Sequence, residues 1–150
     1  MLEPYRAVAP FYDLVSREWP VYRAGRVAGI ESLELRPGDT VLDVGCCTGL
    51  SLPLLAEAVG PTEHVIGVDA SPQMLGVARR RTEGLATGVT LLCADATDHE
   101  HSAWGAVEAL DSDAILFTYS LSLMKPWRRA LQTARSAAAP QARIAVVDSS

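Results

Sequence analysis

The chain has 150 residues, 49% hydrophobic and 21% charged, with 13 basic and 18 acidic residues for a formal net charge of −5. These proportions exclude a disordered or fibrous chain and describe one globular domain, which at this length buries roughly two-thirds of the surface its unfolded form exposes. The acidic balance, with no basic run beyond Arg79-Arg80-Arg81, excludes nucleic acid as the expected partner, and the triplet reads as the solvated face of a helix.

The first ten residues, MLEPYRAVAP, carry neither an apolar core nor a cleavage site, and no stretch reaches the length of a membrane span. A cytoplasmic protein without stable membrane insertion is expected. Within residues 4–18, Tyr5, Val8, Phe11, Tyr12 and Val15 recur three or four apart, predicting an amphipathic helix that Pro10 kinks and Trp19-Pro20 ends. A second helix is predicted over Val21–Leu33, followed by a turn at Arg36-Pro37-Gly38-Asp39.

From Thr40 onward strands and helices alternate. Strand Thr40–Val44 leads to a helix after Gly49, Gly60-Pro61-Thr62 breaks that helix, and strand His64–Val68 is closed by Asp69. Ser71 is a capping residue before Pro72 at the first helical position, and the helix covers Gln73–Thr82. Gly84 and Gly88 mark its exit into strand Val89–Cys93; a helix over residues 102–109, strand Ala114–Thr118, a helix over Trp127–Ala138 and, after Pro140, strand Arg143–Val147 complete the order. Such alternation implies a parallel sheet with right-handed crossovers, hence a doubly wound α/β fold. The whole of 1–150 is one domain, with 1–36 as a helical lid and 37–150 as the α/β core.

Three cysteines, two of them adjacent, make neither a disulfide framework nor a paired metal motif, and Cys93 is expected to be a small buried hydrophobe in its strand. His99 and His101 share an H-x-H spacing without a third ligand, so they read as surface histidines of a polar loop and no metal site is expected.

The chemistry is expected at VLDVGCCTGLSLPLLAE, residues 41–57. It reads as strand, tight turn and helix, and in an open parallel sheet that turn lies at the carboxyl end of a strand, where a helix N-terminus offers unpaired N–H groups. A dinucleotide fingerprint G-x-G-x-x-G from Gly45 would need glycine where Cys47 and Leu50 stand, which disfavours a nicotinamide-binding fragment.

The segment resembles the first motif of class I S-adenosylmethionine-dependent methyltransferases, an acid followed by G-x-G-x-G: Asp43, Gly45 and Gly49 match and Cys47 replaces the middle glycine. Two further segments are similar to the ubiquinone and menaquinone C-methyltransferases and the betaine-lipid N-methyltransferases, namely YRAVAPFYDLVSREWPVYR near the amino terminus and FTYSLSLMKPW after the fourth strand. The resemblance implies a Rossmann-like sheet of order 3-2-1-4-5 behind N-terminal helices. It also implies S-adenosylmethionine as cofactor, S-adenosylhomocysteine as product, and a small or lipid-like methyl acceptor.

Carried over residue by residue, it places Asp43 toward the ammonium of the cofactor and the backbone of Gly45, Cys46, Cys47 and Gly49 close beneath it. Asp69 would accept from the ribose diol, Ala70 and Met74 would border the adenosine, and Asp95 with the N–H of Ala96 would meet the adenine. Tyr12 belongs to a Y-D pair near the cofactor, and Tyr119 would line the site below the sulfonium. A side chain at Cys47 meets a steric cost in turns that glycine enters freely, so weakened cofactor binding is expected.

Direct displacement at a methyl group needs alignment more than acid or base, and alignment alone supplies on the order of 7–11 kcal/mol in well-oriented cases. No catalytic residue is therefore nominated. Family members continue through another helix and a strand pair at the sheet edge, whereas this sequence closes at Asp148-Ser149-Ser150. Ile144, Val146 and Val147 would then form an open apolar edge, expected to be covered by a second copy of the chain that pairs or exchanges elements there, or else to mark a fragment of a longer protein. An alternative stays open: a degenerate cofactor-binding or regulatory protein without turnover.

Overall fold

The computed structural model describes residues 20–148. The helix expected over residues 4–18, with Tyr5, Val8, Phe11, Tyr12 and Val15, lies outside them. The described chain runs α1 (Pro20–Ser32), β1 (Val41–Val44), α2 (Leu52–Val59), β2 (His64–Asp69), α3 (Pro72–Thr82), β3 (Gly88–Cys93), α4 (Ala103–Ala109), β4 (Ser112–Thr118), a single 3-10 turn at Leu121–Leu123, α5 (Trp127–Ser136) and β5 (Ala138–Val147). No helix among the described residues is long and apolar enough to cross a membrane.

The strands pair in parallel in the order β3-β2-β1-β4-β5, as expected for a Rossmann-like sheet. Alternate residues of the central strands go to opposite layers, because side chains alternate along a strand. Val41, Val65 and Leu116 face a layer built from α1, α2 and α3, where Ile30, Leu52, Leu55 and Leu75 are buried. Leu42, Ile66, Ile115 and Phe117 face α4 and α5, where Trp104, Val107, Ala130 and Ala134 close the second core. A fully buried side chain of this size contributes about 1.5–3 kcal/mol, so the two layers hold the sheet at the register that brings the strand ends together.

Local signals explain most element ends. Ser71 caps α3 by accepting from the Met74 N–H at 3.2 Å, with Pro72 next to it. The Arg36–Asp39 turn closes through the Asp39 N–H on the Arg36 carbonyl at 3.0 Å and the Asp39 carboxylate on the Arg36 N–H.

Three expectations need correction. The last helix stops at Ser136 and β5 begins at Ala138, five residues earlier than predicted, so Pro140 lies inside the strand. A proline is tolerated there because β5 is an edge and the pairing with β4 is irregular between Ser112 and Ala114. Cys93 is exposed, since β3 is the opposite edge and Cys93 is its last residue.

Candidate functional site

The carboxyl ends of β1, β2, β3 and β4 meet around the turn from Gly45 to Ser51. The N–H groups of Gly45 and Cys46 both donate to the Val68 carbonyl, at 2.7 and 3.0 Å, tying the turn to β2. Gly45 has φ 72°, and a Cβ there would stand 2.6 Å from Ser120 Cβ and 2.8 Å from Met124 Cε. Only glycine meets both demands. Gly49, at φ 82°, allows α3 to approach, since a Cβ would meet Ala78 Cβ at 2.9 Å. Between them Cys47 holds φ 53°, left-handed for an L-residue, with its thiol donating to the Gly45 carbonyl at 3.4 Å.

Asp69 ends β2 and fixes that turn from the other side. One carboxylate oxygen accepts from the Cys47 N–H and the other from the Ser71 N–H, each at 2.9 Å. Burial pushes its pKa above the ordinary value of 3.8, against the pull of those same N–H donors. The Cys47 thiol and the Ala70 N–H also act on this carboxylate, which borders a cleft.

That cleft encloses about 590 Å³, including the solvent at its mouth, and is mostly apolar. Gly45 and Cys47 form one end, Asp69, Ala70 and Met74 the β2 side, and Asp95 and Ala96 the β3 side. Asp95 is braced by Thr97, whose N–H and Oγ1 both donate to its Oδ1, at 2.8 and 2.7 Å. Ser120, Leu123 and Met124 form the opposite wall. Ser120 Oγ donates to the Val44 carbonyl at 3.0 Å, which holds this wall to the end of β1.

A second, smaller chamber lies on the other side of the same turn and shares Gly45 and Cys47 with the first. Asp43 is its floor, 2% exposed, with Arg26 of α1, 8% exposed, facing it. Burial raises the Asp43 pKa from 3.8 to about 7; the Arg26 charge pulls it down and Asp69 pushes it up. No described side chain hydrogen-bonds this carboxylate, and Thr118 Oγ1, which borders the chamber, is buried without a partner. Cys46 also borders the chamber, and burial drives its thiol pKa well above the ordinary value.

Of the residues expected at the site, Gly45, Cys47, Asp69, Ala70, Met74, Asp95 and Ala96 line the cleft, and Asp43 and Cys46 line the chamber. Gly49 sits one step back, against α3. Tyr119 lies elsewhere: its ring packs edge-on against Tyr22 with centroids 4.9 Å apart, and its hydroxyl fills the space over Gly25. Tyr12 is outside the described residues.

Sequence reasoning missed Arg26, Thr118, Ser120, Leu123 and Met124. Within FTYSLSLMKPW it is Ser120, the residue after Tyr119, that lines the cleft. Arg81 was also missed as a brace, its guanidinium donating to the Thr48 carbonyl at 3.0 Å. Among the described residues, no three metal-ligating side chains cluster.

Comparison with known proteins gives a consistent picture. Residues 41–141 match the family model described as "Methyltransferase domain". The chain is 29% identical over 151 aligned positions to 2-phytyl-1,4-naphtoquinone methyltransferase of Trichormus variabilis, covering 94% of this chain and 61% of that protein. The YcgJ protein of Bacillus subtilis aligns with TM-score 0.70 and 22% identity, over 84% of this chain and 50% of that one. A SAM-dependent methyltransferase of Geobacter sulfurreducens, solved with S-adenosyl-L-homocysteine, aligns with TM-score 0.62 and 21% identity, over 82% and 47%.

Proposed function

With residues 41–141 matched, the chain belongs to the methyltransferase domain family, and from that premise we propose that it binds S-adenosylmethionine and transfers its methyl group to a small or lipid-like acceptor by direct displacement. The observation that carries the proposal is the two-part cavity divided by one turn. The apolar cleft, with Asp69 and Asp95 at the ends of adjacent strands, has the character of a nucleoside site. The chamber, with a guanidinium and with a carboxylate and a hydroxyl that have no side-chain hydrogen-bond partner among the described residues, has the character of a zwitterion site.

The residues therefore fit the cofactor. Asp69, which borders the cleft, would accept from the ribose hydroxyls, and Asp95 with the Ala96 N–H would meet the adenine edge. Met74 and Ala70 would pack on the rings, Asp43 would take the ammonium, and Arg26 the carboxylate. When bound, S-adenosylmethionine supplies a methyl carbon on a positively charged sulfur. The protein's task is then to exclude water and hold the acceptor in line with the bond that breaks, for which Leu123 and Met124 offer an apolar wall suited to a hydrophobic acceptor.

A second reading, cofactor binding without turnover, draws support from the left-handed backbone at Cys47, where a side chain stands against both cavities. Calorimetric titration of the chain with S-adenosylhomocysteine, S-adenosylmethionine and a nicotinamide dinucleotide tests the cofactor. Saturable binding of the first two alone, lost by at least tenfold in Asp69→Ala, is expected. No binding would sink both readings. Transfer of label from methyl-labelled cofactor to an extracted acceptor pool separates the enzyme from the binding protein. The chain spans 61% of the quinone methyltransferase it matches, so activity is best compared with that of a full-length relative assayed in parallel.

A further inference from the structure

From Leu123 at the cleft to the first turn of α5 the chain presents an unusual surface. Leu123, which lines the cleft, is 53% exposed, and Trp127 at the start of α5 is 42% exposed. Between and after them Lys125, Arg128 and Arg129 are all exposed. No carboxylate among the described residues forms an ion pair with any of the three. Arg128 lies over the Trp127 ring, 4.5 Å from its centroid.

The charge is local. From Ala114 to Val147 the sequence holds five basic residues and not one acid, within a chain of net charge −5. The nearby acids are peripheral: Asp148 accepts from the N–H and Oγ of Ser122 at the margin of the patch, and Glu108 of α4 borders the groove that Arg129 shares. The first turn of α5 carries no acid, so Arg128 and Arg129 stand at the positive end of the helix dipole. Two exposed apolar side chains and three cations arranged against that dipole are unfavourable in water and favourable at one kind of surface.

We infer that the segment Leu123–Arg129 is a docking surface for an anionic lipid bilayer. Trp127 and Leu123 enter the headgroup boundary, and Lys125, Arg128 and Arg129 meet the phosphates. An indole with one apolar and one polar edge rests at that boundary, and each cation adjacent to an anionic leaflet adds about 1 kcal/mol, roughly fivefold in partition. Three cations give on the order of 100-fold. This is adsorption, distinct from insertion. It does not depend on methyl transfer: the surface could bind vesicles in a chain with no turnover, and the two proposals fail separately.

Sedimentation of the 150-residue chain with vesicles of phosphatidylcholine alone, and of phosphatidylcholine with phosphatidylglycerol, is the test. Partition onto the anionic vesicles about 100-fold above the neutral ones, weakening as salt is raised, is expected. The triple variant Lys125→Gln, Arg128→Gln, Arg129→Gln should lose that preference while melting at the wild-type temperature. Should the triple variant fail to fold, wild-type quenching by brominated lipid, absent in Trp127→Phe, reads the same contact. No partition onto anionic vesicles, equal partition by a folded triple variant, or binding to heparin with vesicles ignored would overturn the inference, the last in favour of a soluble polyanion.

Discussion

Asp43 and Cys47 each carry a cost inside the fold. Asp43 has a folded pKa of about 7 against an ordinary 3.8, so its protonated form is the one the folded state favours. Its contribution is fully present below about pH 4 and is lost as pH rises through 7. Asp43→Asn should therefore flatten the fall in stability between pH 4 and 7, followed by urea midpoints across that range. Binding runs the other way, because an ammonium needs the ionised carboxylate. Affinity for S-adenosylhomocysteine should rise by about tenfold per pH unit from pH 5 toward 7 and then level, and the slope should vanish in Asp43→Asn. A flat wild-type profile would remove Asp43 from the ammonium site. For Cys47, the left-handed backbone costs an L-residue roughly 1–2 kcal/mol, while glycine gives back about 0.5–1 kcal/mol in unfolded-chain entropy. Cys47→Gly should stabilise the chain by about 0.5–1 kcal/mol net, seen as a higher urea midpoint at unchanged slope.

At the scale of elements, the β1–α2 turn and the segment after β4 act as one unit. Ser120 and Met124 occupy the space a side chain on Gly45 would need, and Ser120 is bonded to Val44. Gly45→Ala adds overpacking against Ser120 to a left-handed φ, and should cost about 2–4 kcal/mol and displace the Leu121–Met124 wall. Thermal unfolding measures the first effect. Loss of cofactor binding in the fraction that still folds measures the second. Here the sequence was legible in part. The glycines, the strand before them and the Ser71 cap are local features, readable from spacing. That Ser120 rather than Tyr119 faces the cleft depends on which way the chain turns on leaving β4. Tyr119, at φ 52°, turns its ring toward α1.

For the whole molecule the exposed feature is the outer edge of β5. Pro140, Gln141 and Arg143 blunt its first half with an absent N–H, polar groups and a cation that pairs with Asp39 at 2.8 Å. Among the described residues no proline or charge guards Ile144 to Val147; Ala145 is buried and Val147 packs over Gly29 of α1, but Val146 is 48% exposed. Self-association through this edge should give a concentration-dependent dimer in sedimentation velocity, abolished by Val146→Lys without loss of melting temperature. A monomer at all concentrations would remove the expectation.

What the sequence determined by itself is the set of elements and their alternation, because hydrophobic period, capping and turn chemistry act over a few residues. Asp43, Asp69 and Asp95 were legible as candidates for the same reason: each stands near the carboxyl end of its own strand, and strand ends of a parallel sheet converge. The order 3-2-1-4-5 came from the family resemblance, since composition and spacing do not select which strands pair. Only the tertiary structure set Arg26 against Asp43, left Thr118 Oγ1 without a partner, put Cys93 on an edge and started β5 at Ala138. These depend on contacts between residues far apart in the chain, and such contacts follow from the register of the sheet and the packing of its two layers.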